Sequence, residues 1–487
     1  MKNIFFIILL AVIITATTSS CRKDPVITDA SAKLVFSQDT ILFDTVFTTV
    51  GSSTHWLQVY NNHKKKIIIS SIRLAGGNSS MFRINVDGKA AKEFSDVEIA
   101  GKDSLFIFVE VTVDPVNQNT PMILTDSIIF ETNGNIQDVD LAAWGQDAYF
   151  HTPVKGTILS PLHFCNEVWT KEKPHVIYGY FFVDSSCTLT INEGVRVYIH
   201  NGSGILVYKD GSLKINGTYP EPVRIQGDRL ESVYQEIPGQ WDRIWLYPGS
   251  INNEVDYAVI KNGNVGFMSD TTGNSTNPTL TLSNTVIQNM AGAGLYAQGS
   301  FVVAVNSIFA NCGIHNVLLS IGGDYSFRHC TFANFWNHDT RQTPLLGLNN
   351  YYEDVNHVIQ ARNLSKAYFG NCIMFGALEK EIALDYKTTA EFNYLFDNCL
   401  LKSDSVLDAE QILFPARFSN NLISNKTNNN DPLFTDPAQN DYSLGTGSPA
   451  IDKGSLVITN TPVPLPLDIK QKSRTSDAAP DLGAIEK

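Results

Sequence analysis

The sequence predicts an all-β protein: an N-terminal β-sandwich, then a parallel β-helix, then a C-terminal cap. Three observations lead there. Asn, Thr, Ser, Gly, Val and Ile are plentiful while Ala-Glu-Lys-Leu blocks are scarce, which favours strands over helices. About eight short β-favouring runs separated by turn formers occupy residues 33–149. A recurring pattern with a spacing near 22 residues then fills residues 152–403. Only 17 % of residues are charged, which excludes a coiled coil or a charge-laced helical array. Lys and Arg number 36 against 49 Asp and Glu, a net charge of −13, so no cation surplus exists to neutralise nucleic-acid phosphates.

Residues 1–20 read as an export signal. Met1-Lys2-Asn3 is a short basic start, and Ile4 to Ile14 is an apolar run too short to span a bilayer. Small residues Thr15 to Ser20 then lead directly to Cys21. This arrangement resembles a bacterial lipoprotein lipobox, with Thr18 standing where Leu is usual, and the whole chain resembles lipoproteins of the phylum Bacteroidota. The resemblance implies lipidation of Cys21, membrane attachment through that lipid, and an outer-membrane location on the cell surface or the periplasmic face. Residues 21–32 would be a tether.

The sandwich is expected over residues 33–150. Its strands include Leu34-Val35-Phe36, Trp56 to Tyr60, Phe82 to Val86 and Leu105 to Val113, divided by Gly76-Gly77-Asn78, Asp87-Gly88 and Asn133-Gly134-Asn135. Asp44-Thr45-Val46, Val50-Gly51-Ser52, Val86-Asp87-Gly88 and Gly145-Gln146-Asp147-Ala148 resemble the immunoglobulin-like modules grouped as ASPM/Hydin-like. That resemblance implies a spacer or protein-contact module.

The repeat is expected to wind residues 151–403 into the β-helix. Its copies include Leu282-x-Asn284-Thr285-x-Ile287-x-Asn289, Ala304-x-Asn306-Ser307-x-Phe309-x-Asn311 and Phe327-x-His329-Cys330-x-Phe332-x-Asn334. Phe369-x-Asn371-Cys372 and Phe396-x-Asn398-Cys399 continue it. One coil cannot bury its own inner face, so like must lie on like about 4.8 Å away. Phe, Leu and the Cys330–Cys372–Cys399 column are therefore read as an inner ladder. Asn262, Asn289, Asn311 and Asn334 are read as a stack at one turn, because Asn tolerates left-handed backbone. His329 stands in an Asn position and is read as structural. About eleven coils fit, giving a rod roughly 45–50 Å long.

Upstream, Thr188 to Gly194, Gly204 to Val207 and Asp210 to Gly217 resemble the opening coils of right-handed parallel β-helix proteins, and Gln240-Trp241-Asp242-Arg243-Ile244 resembles the tryptophan-bearing strand that follows in them. Downstream, Asp431 to Phe434, Asp441-Tyr442, Gly447 to Gly454, Pro466 to Asp468 and Asp481 to Glu486 are similar to the C-terminal segment of β-helix proteins with a choice-of-anchor region. Residues 404–487 are accordingly expected to cap the rod.

Chemistry is sought first where the spacing stretches from 22 to 42, between Cys330 and Cys372. Phe335 to Arg362 carries Trp336, Asn337, Tyr351 and Tyr352, which suit glycan contact. Aromatic faces stack on sugar C–H groups and amides bond to hydroxyls. His338, Asp339 and Arg341 are the best acid/base candidates. No paired carboxylates, zinc-ligand spacing or phosphate loop is found, so no metal or cofactor is expected. Cys165 and Cys187 are one coil apart and can pair, whereas Cys312 has no assigned role. The leading expectation is a non-catalytic, lipid-anchored envelope protein that binds glycan or a partner protein through the rod. The alternatives are a polysaccharide lyase or glycoside hydrolase working in a groove along it, and a structural part in envelope assembly.

Overall fold

A computed structural model describes residues 25–48, 51–114, 122–152, 163–271 and 276–487. The signal segment and Cys21 lie outside these. The chain divides into two compact units, Met1–Asp147 and Ala148–Lys487.

The first unit is a sandwich of two five-stranded sheets. One holds strands Val35–Phe36, His55–Tyr60, Ser104–Val111, Phe82–Val86 and Lys89–Ala91; the other holds Thr40–Phe47, Asn135–Gln146, Met122–Thr132, Ile67–Leu74 and Glu93–Ile99. Alternate residues point inward, so Ile67, Ile69, Ile107, Val109, Ile128 and Phe130 fill the core. Strands Lys89–Ala91 and Glu93–Ile99 had no expected counterpart. Lys89–Ala91 is three exposed residues with two alanines, and in Glu93–Ile99 the core-facing Phe94, Val97 and Ile99 are separated by polar residues without strict alternation.

The second unit is a parallel β-helix, right-handed as parallel crossovers almost always are. Each coil contributes one strand to each of three sheets, which contain eleven, nine and ten strands among the described residues. In a middle coil these are Val286–Gln288, Ala293–Gln298 and Phe301–Val305, and each pairs in parallel with its equivalent in the next coil. Inner side chains stack rung on rung. Phe327, Phe369, Phe396 and Phe418 are register partners with ring centroids 5.1–5.5 Å apart. Cys330, Cys372 and Cys399 immediately precede paired strands and form a ladder of fully buried free thiols. The Sγ of Cys372 lies 3.6 Å from the carbonyl oxygen of Phe327 and that of Cys399 lies 3.3 Å from Phe369's, each belonging to the coil before.

The turn before each ladder residue is left-handed. Asn284, Asn306, His329, Asn371 and Asn398 all have φ between 48° and 53°, which Asn adopts more readily than most residues. Asn262, Asn289 and Asn311 are left-handed at the following turn, but Asn334 is not. It lies inside strand Thr331–Asn334 and its amide bonds to the Cys312 carbonyl and to Asn316, because the chain leaves the coil there on a long insertion.

Strand pairing overruns the expected limits at both ends. It starts at Tyr149–His151 and continues to Leu422–Ser424. Cys165 and Cys187 form a disulfide that joins the first two coils. At the far end helix α1, Ser405–Leu413, replaces a strand of the nine-stranded sheet and inserts Leu407 into the core. Asp404 caps it by accepting from the Leu407 amide.

Only this first part of the C-terminal segment closes the end. The remainder runs back along the outer face of the eleven-stranded sheet as a strap. Tyr442, Ile469 and Ile485 pack on Ile308 and Ala333, while Leu444, Ala450 and Leu482 pack on Ile373 and Leu400. The acidic residues that mark this segment in sequence fasten it to itself. Asp468 accepts from the amides of Lys470, Lys472 and Glu486, and Asp481 accepts from those of Asp452 and Lys487. His329 is fully buried beneath the strap, bonded to Thr459 and Asn371, and burial holds its imidazole neutral.

The first coils enclose a stacked histidine pair. His151 Nε2 and His175 Nδ1 are 3.0 Å apart, against the ring of Trp169. Burial lowers His151 to about 4 and, with repulsion from His151, lowers His175 to about 3. The unfolded chain therefore takes up these protons first, near the ordinary value of 6.5. Stability should fall as pH drops from about 6.5 toward 4, each unit of the gap being worth about 1.4 kcal/mol per histidine. Melting temperatures measured across that range should decline, and the slope should flatten in a His151→Phe/His175→Phe variant.

Candidate functional site

The outer face of the nine-stranded sheet carries an ordered stripe. Phe182, Leu206, Trp245, Met268, Tyr296 and Leu318 are successive register partners. Each lies between two buried neighbours, for example Ile244 and Leu246 around Trp245, so strand alternation turns all six outward. A β-bulge is needed for this. Trp241 and Trp245 are four residues apart and should share a face, yet Trp241 is fully buried. The register against strand Gly263–Ser269 shifts between Arg243 and Ile244, with Gly266 as the extra residue, and the buried positions of Trp241–Leu246 change parity at the same place.

Polar side chains border the stripe. The indole nitrogen of Trp245 donates to Asp270 at 2.7 Å, Gln298 donates to the other Asp270 oxygen at 2.8 Å, and the Tyr296 hydroxyl donates to Gln298 at 3.3 Å. Toward the other edge, Asp242 accepts from Arg243 at 3.0 Å and from the Tyr180 hydroxyl. Burial, with the Asp242 carboxylate beside it, pushes the Tyr180 hydroxyl far above its ordinary range. Tyr208 and Tyr247 stack 5.0 Å apart at the neighbouring turn. Half-buried rings edged by hydrogen-bonding groups on a rigid sheet can hold an extended ligand with apolar faces and hydroxyl edges.

The residues expected from sequence are distributed differently. Phe335 to Arg362 is not one loop. Strand Leu346–Asn349 of the nine-stranded sheet divides it. Trp336, Asn337, His338 and Asp339 lie at the turn before that strand. Tyr351 and Tyr352 lie on a small hairpin after it, paired with Ala361 and Gln360. Tyr351 bonds to Asp385 at 2.7 Å and lies beneath Lys387; Tyr352 lies beneath Arg362. His338 bonds to Asn289 and Asp339 accepts from the Trp336 indole. Arg341 points elsewhere: it is buried and holds Glu381 through two hydrogen bonds of 2.5 and 2.8 Å. The three acid/base candidates thus have three separate partners. Among the described residues no group of His, Cys, Asp and Glu could hold a metal ion.

Sequence reading missed the stripe. Its six residues come from six strands and share no local motif; outward alternation alone marks them, and the bulge breaks that rule at Trp245.

No protein-family model matches the chain, and no curated protein matches it. Among solved structures it is similar to the catalytic unit of a GH87 alpha-1,3-glucanase from Streptomyces thermodiastaticus strain HF3-3, with 10 % identity, 64 % of this chain and 65 % of that chain covered, and a TM-score of 0.27. The Agl-KA catalytic domain matches at 10 % identity over 72 % of this chain and 70 % of that one, TM-score 0.23. A protein of unknown function from Porphyromonas gingivalis W83 matches at 10 % identity over 26 % of this chain, TM-score 0.18; the chain spans 60 % of its length. All these scores are low, so the fold rests on the strand registers and no activity is carried across.

The Arg341–Glu381 pair gives a direct test of structural against chemical use. Arg341→Met strands a buried carboxylate and should cost about 3–5 kcal/mol in denaturant unfolding, whereas Arg341→Met with Glu381→Gln should recover much of that loss.

Proposed function

We propose that the protein is a lipid-anchored envelope protein that binds an extended glycan along the outer face of the nine-stranded sheet and does not cleave it. The carrying observation is the in-register stripe with Asp242, Arg243, Asp270 and Gln298 along its borders. Trp245 and Tyr296 supply faces for sugar C–H groups, and the bordering carboxylates, amide and guanidinium supply hydroxyl partners. The stripe repeats at the sheet spacing, so it offers a track instead of a single pocket. Attachment would be through lipid on Cys21, at the outer membrane.

The rival reading, a glycoside hydrolase, needs two carboxyl groups about 5–9.5 Å apart. The carboxylates beside the stripe's rings are Asp242 and Asp270; Asp184 and Asp385 stand in the Asp270 column about three and four rungs away, roughly 14 and 19 Å. Asp270 follows Ser269, the register partner of Leu246, so it lies level with Tyr247. That is some five residues along the strand from Asp242, roughly 16 Å. This separation favours holding over hydrolysis.

Affinity electrophoresis in gels cast with neutral polysaccharides should retard the wild-type protein. Trp245→Ala and Tyr296→Ala should each weaken retention about tenfold, the loss expected for one stacked ring. New reducing ends appearing in the same gels, or retention unchanged in both variants, would overturn the reading.

A further inference from the structure

Five separate stretches of chain meet at the turn between the eleven- and nine-stranded sheets. They are the loop bearing Glu236, the two coil turns bearing Asn289 and Asn311, the insertion at Trp336–His338, and the strap at Pro437–Asn440. They enclose a pocket of about 160 Å³. The asparagine stack builds it. Asn262 donates to the Gln235 carbonyl, Asn289 to the Glu236 carbonyl, and Asn311 donates to Asn440 while accepting from the Phe335 amide. A column that serves only the coil would bond within the coil. This one reaches out to three excursions and fixes them around one space.

Its chemistry can be read from those bonds. The Asn289 amide nitrogen donates to Asn262 and to the Glu236 carbonyl, so its oxygen faces His338. His338 Nε2, at 3.1 Å, is therefore the donor, and Nδ1 carries a lone pair. Among the described residues no hydrogen bond reaches His338 Nδ1, Oε2 of Glu236, the Asn337 amide or Nδ2 of Asn440. Trp336 forms the apolar wall. Its indole edge is tied to Asp339, and its ring lies on the backbone of Gly313, where a Cβ would come within 3.0 Å of Cζ2. Among the described residues no Lys or Arg lines the pocket, and the nearby Lys261 is paired with Glu236 at 2.8 Å.

We infer that this pocket takes a single neutral pyranose ring, a chain end or branch of the glycan, and excludes uronic acids. One aromatic wall answers the sugar's apolar face. Two acceptors and two amides answer its hydroxyls, and no Lys or Arg among the lining residues is there to answer a uronate carboxylate, the neighbouring Lys261 being engaged by Glu236. The inference rests on the glycan reading above but uses none of the stripe residues.

Titration of the full chain with glucose, galactose, mannose and glucuronate, followed by saturation-transfer NMR, tests it. At least one neutral hexose should saturate and glucuronate should not. Trp336→Ala should weaken that hexose about tenfold, while Trp245→Ala should leave it unchanged. Asn337→Ala, at an exposed side chain that bonds to nothing in the fold, should weaken it several-fold without moving the melting temperature. Absence of hexose binding, equal binding of glucuronate, or unchanged binding in Trp336→Ala and Asn337→Ala would overturn the pocket. Polysaccharide retention lost in Trp245→Ala alongside intact hexose binding separates the stripe's contribution from the pocket's.

Discussion

Every coil of the rod is incomplete alone. Its strands have unpaired backbone groups above and below, and its inner side chains are covered only when the next coil lies on them in register. This one constraint selects the residues of the interior. Flat rings continue as rings from Phe327 to Phe418, and small thiols continue as thiols from Cys330 to Cys399, because any change of size at one rung opens a gap or a clash at two interfaces. It also selects the turns. A left-handed position must recur at the same point, and Asn meets it while passing a hydrogen bond to the adjoining rung, as Asn306 does to Asn284 at 3.2 Å and Asn289 to Asn262 at 2.7 Å.

A stack so constrained inside is free outside. Outward side chains do not hold the coils together, so each face can be put to a different use. The later part of the eleven-stranded face, from Val286 to Leu422, is taken up by the strap, whose apolar residues cover it and whose Arg474, buried with Glu486, also bonds to Asn306 of the turn. The nine-stranded face keeps its rings half-exposed beside Asp270 and Arg243. The division of labour follows from geometry: three faces, one rigid interior, and a chain tail long enough to cover one of them.

The same asymmetry decides what could be read from sequence. Ladder positions must repeat, and repetition is visible. The Cys column and most of the Asn column were therefore legible, whereas Asn334 left its stack where the insertion begins and most of residues 404–487 form a strap instead of a cap. Outward positions need not repeat, and the stripe of Phe182, Leu206, Trp245, Met268, Tyr296 and Leu318 shows no motif. The long insertion misled for a related reason. Strand Leu346–Asn349 has only four residues, too few for its alternation to stand out, so two turns on opposite edges of the sheet were read as one loop. Arg341 looked like chemistry because its partner Glu381 lies forty positions away.

The functional candidates sit where the repeat is broken. The register shift after Arg243 turns Trp245 to the surface. The insertion after Asn334 brings Trp336 and His338 beside the asparagine stack, and the strap brings Asn440 to the same place. Each departure carries a cost that a uniform solenoid avoids: a lost ladder bond at the bulge, ordering entropy for the insertion, and a fully buried ion pair to seat it. Departures also occur away from the site: the register shifts between Gly323 and Asp324 and between Leu364 and Ala367 lie in the ten-stranded sheet. What distinguishes the loop at Gln235–Glu236, the insertion at Phe335–His338 and the strap's Asn440 is that each is tied to a member of one asparagine stack, Asn262, Asn289 or Asn311. A turn that serves the coil on its inner side thus holds three separate excursions together on its outer side.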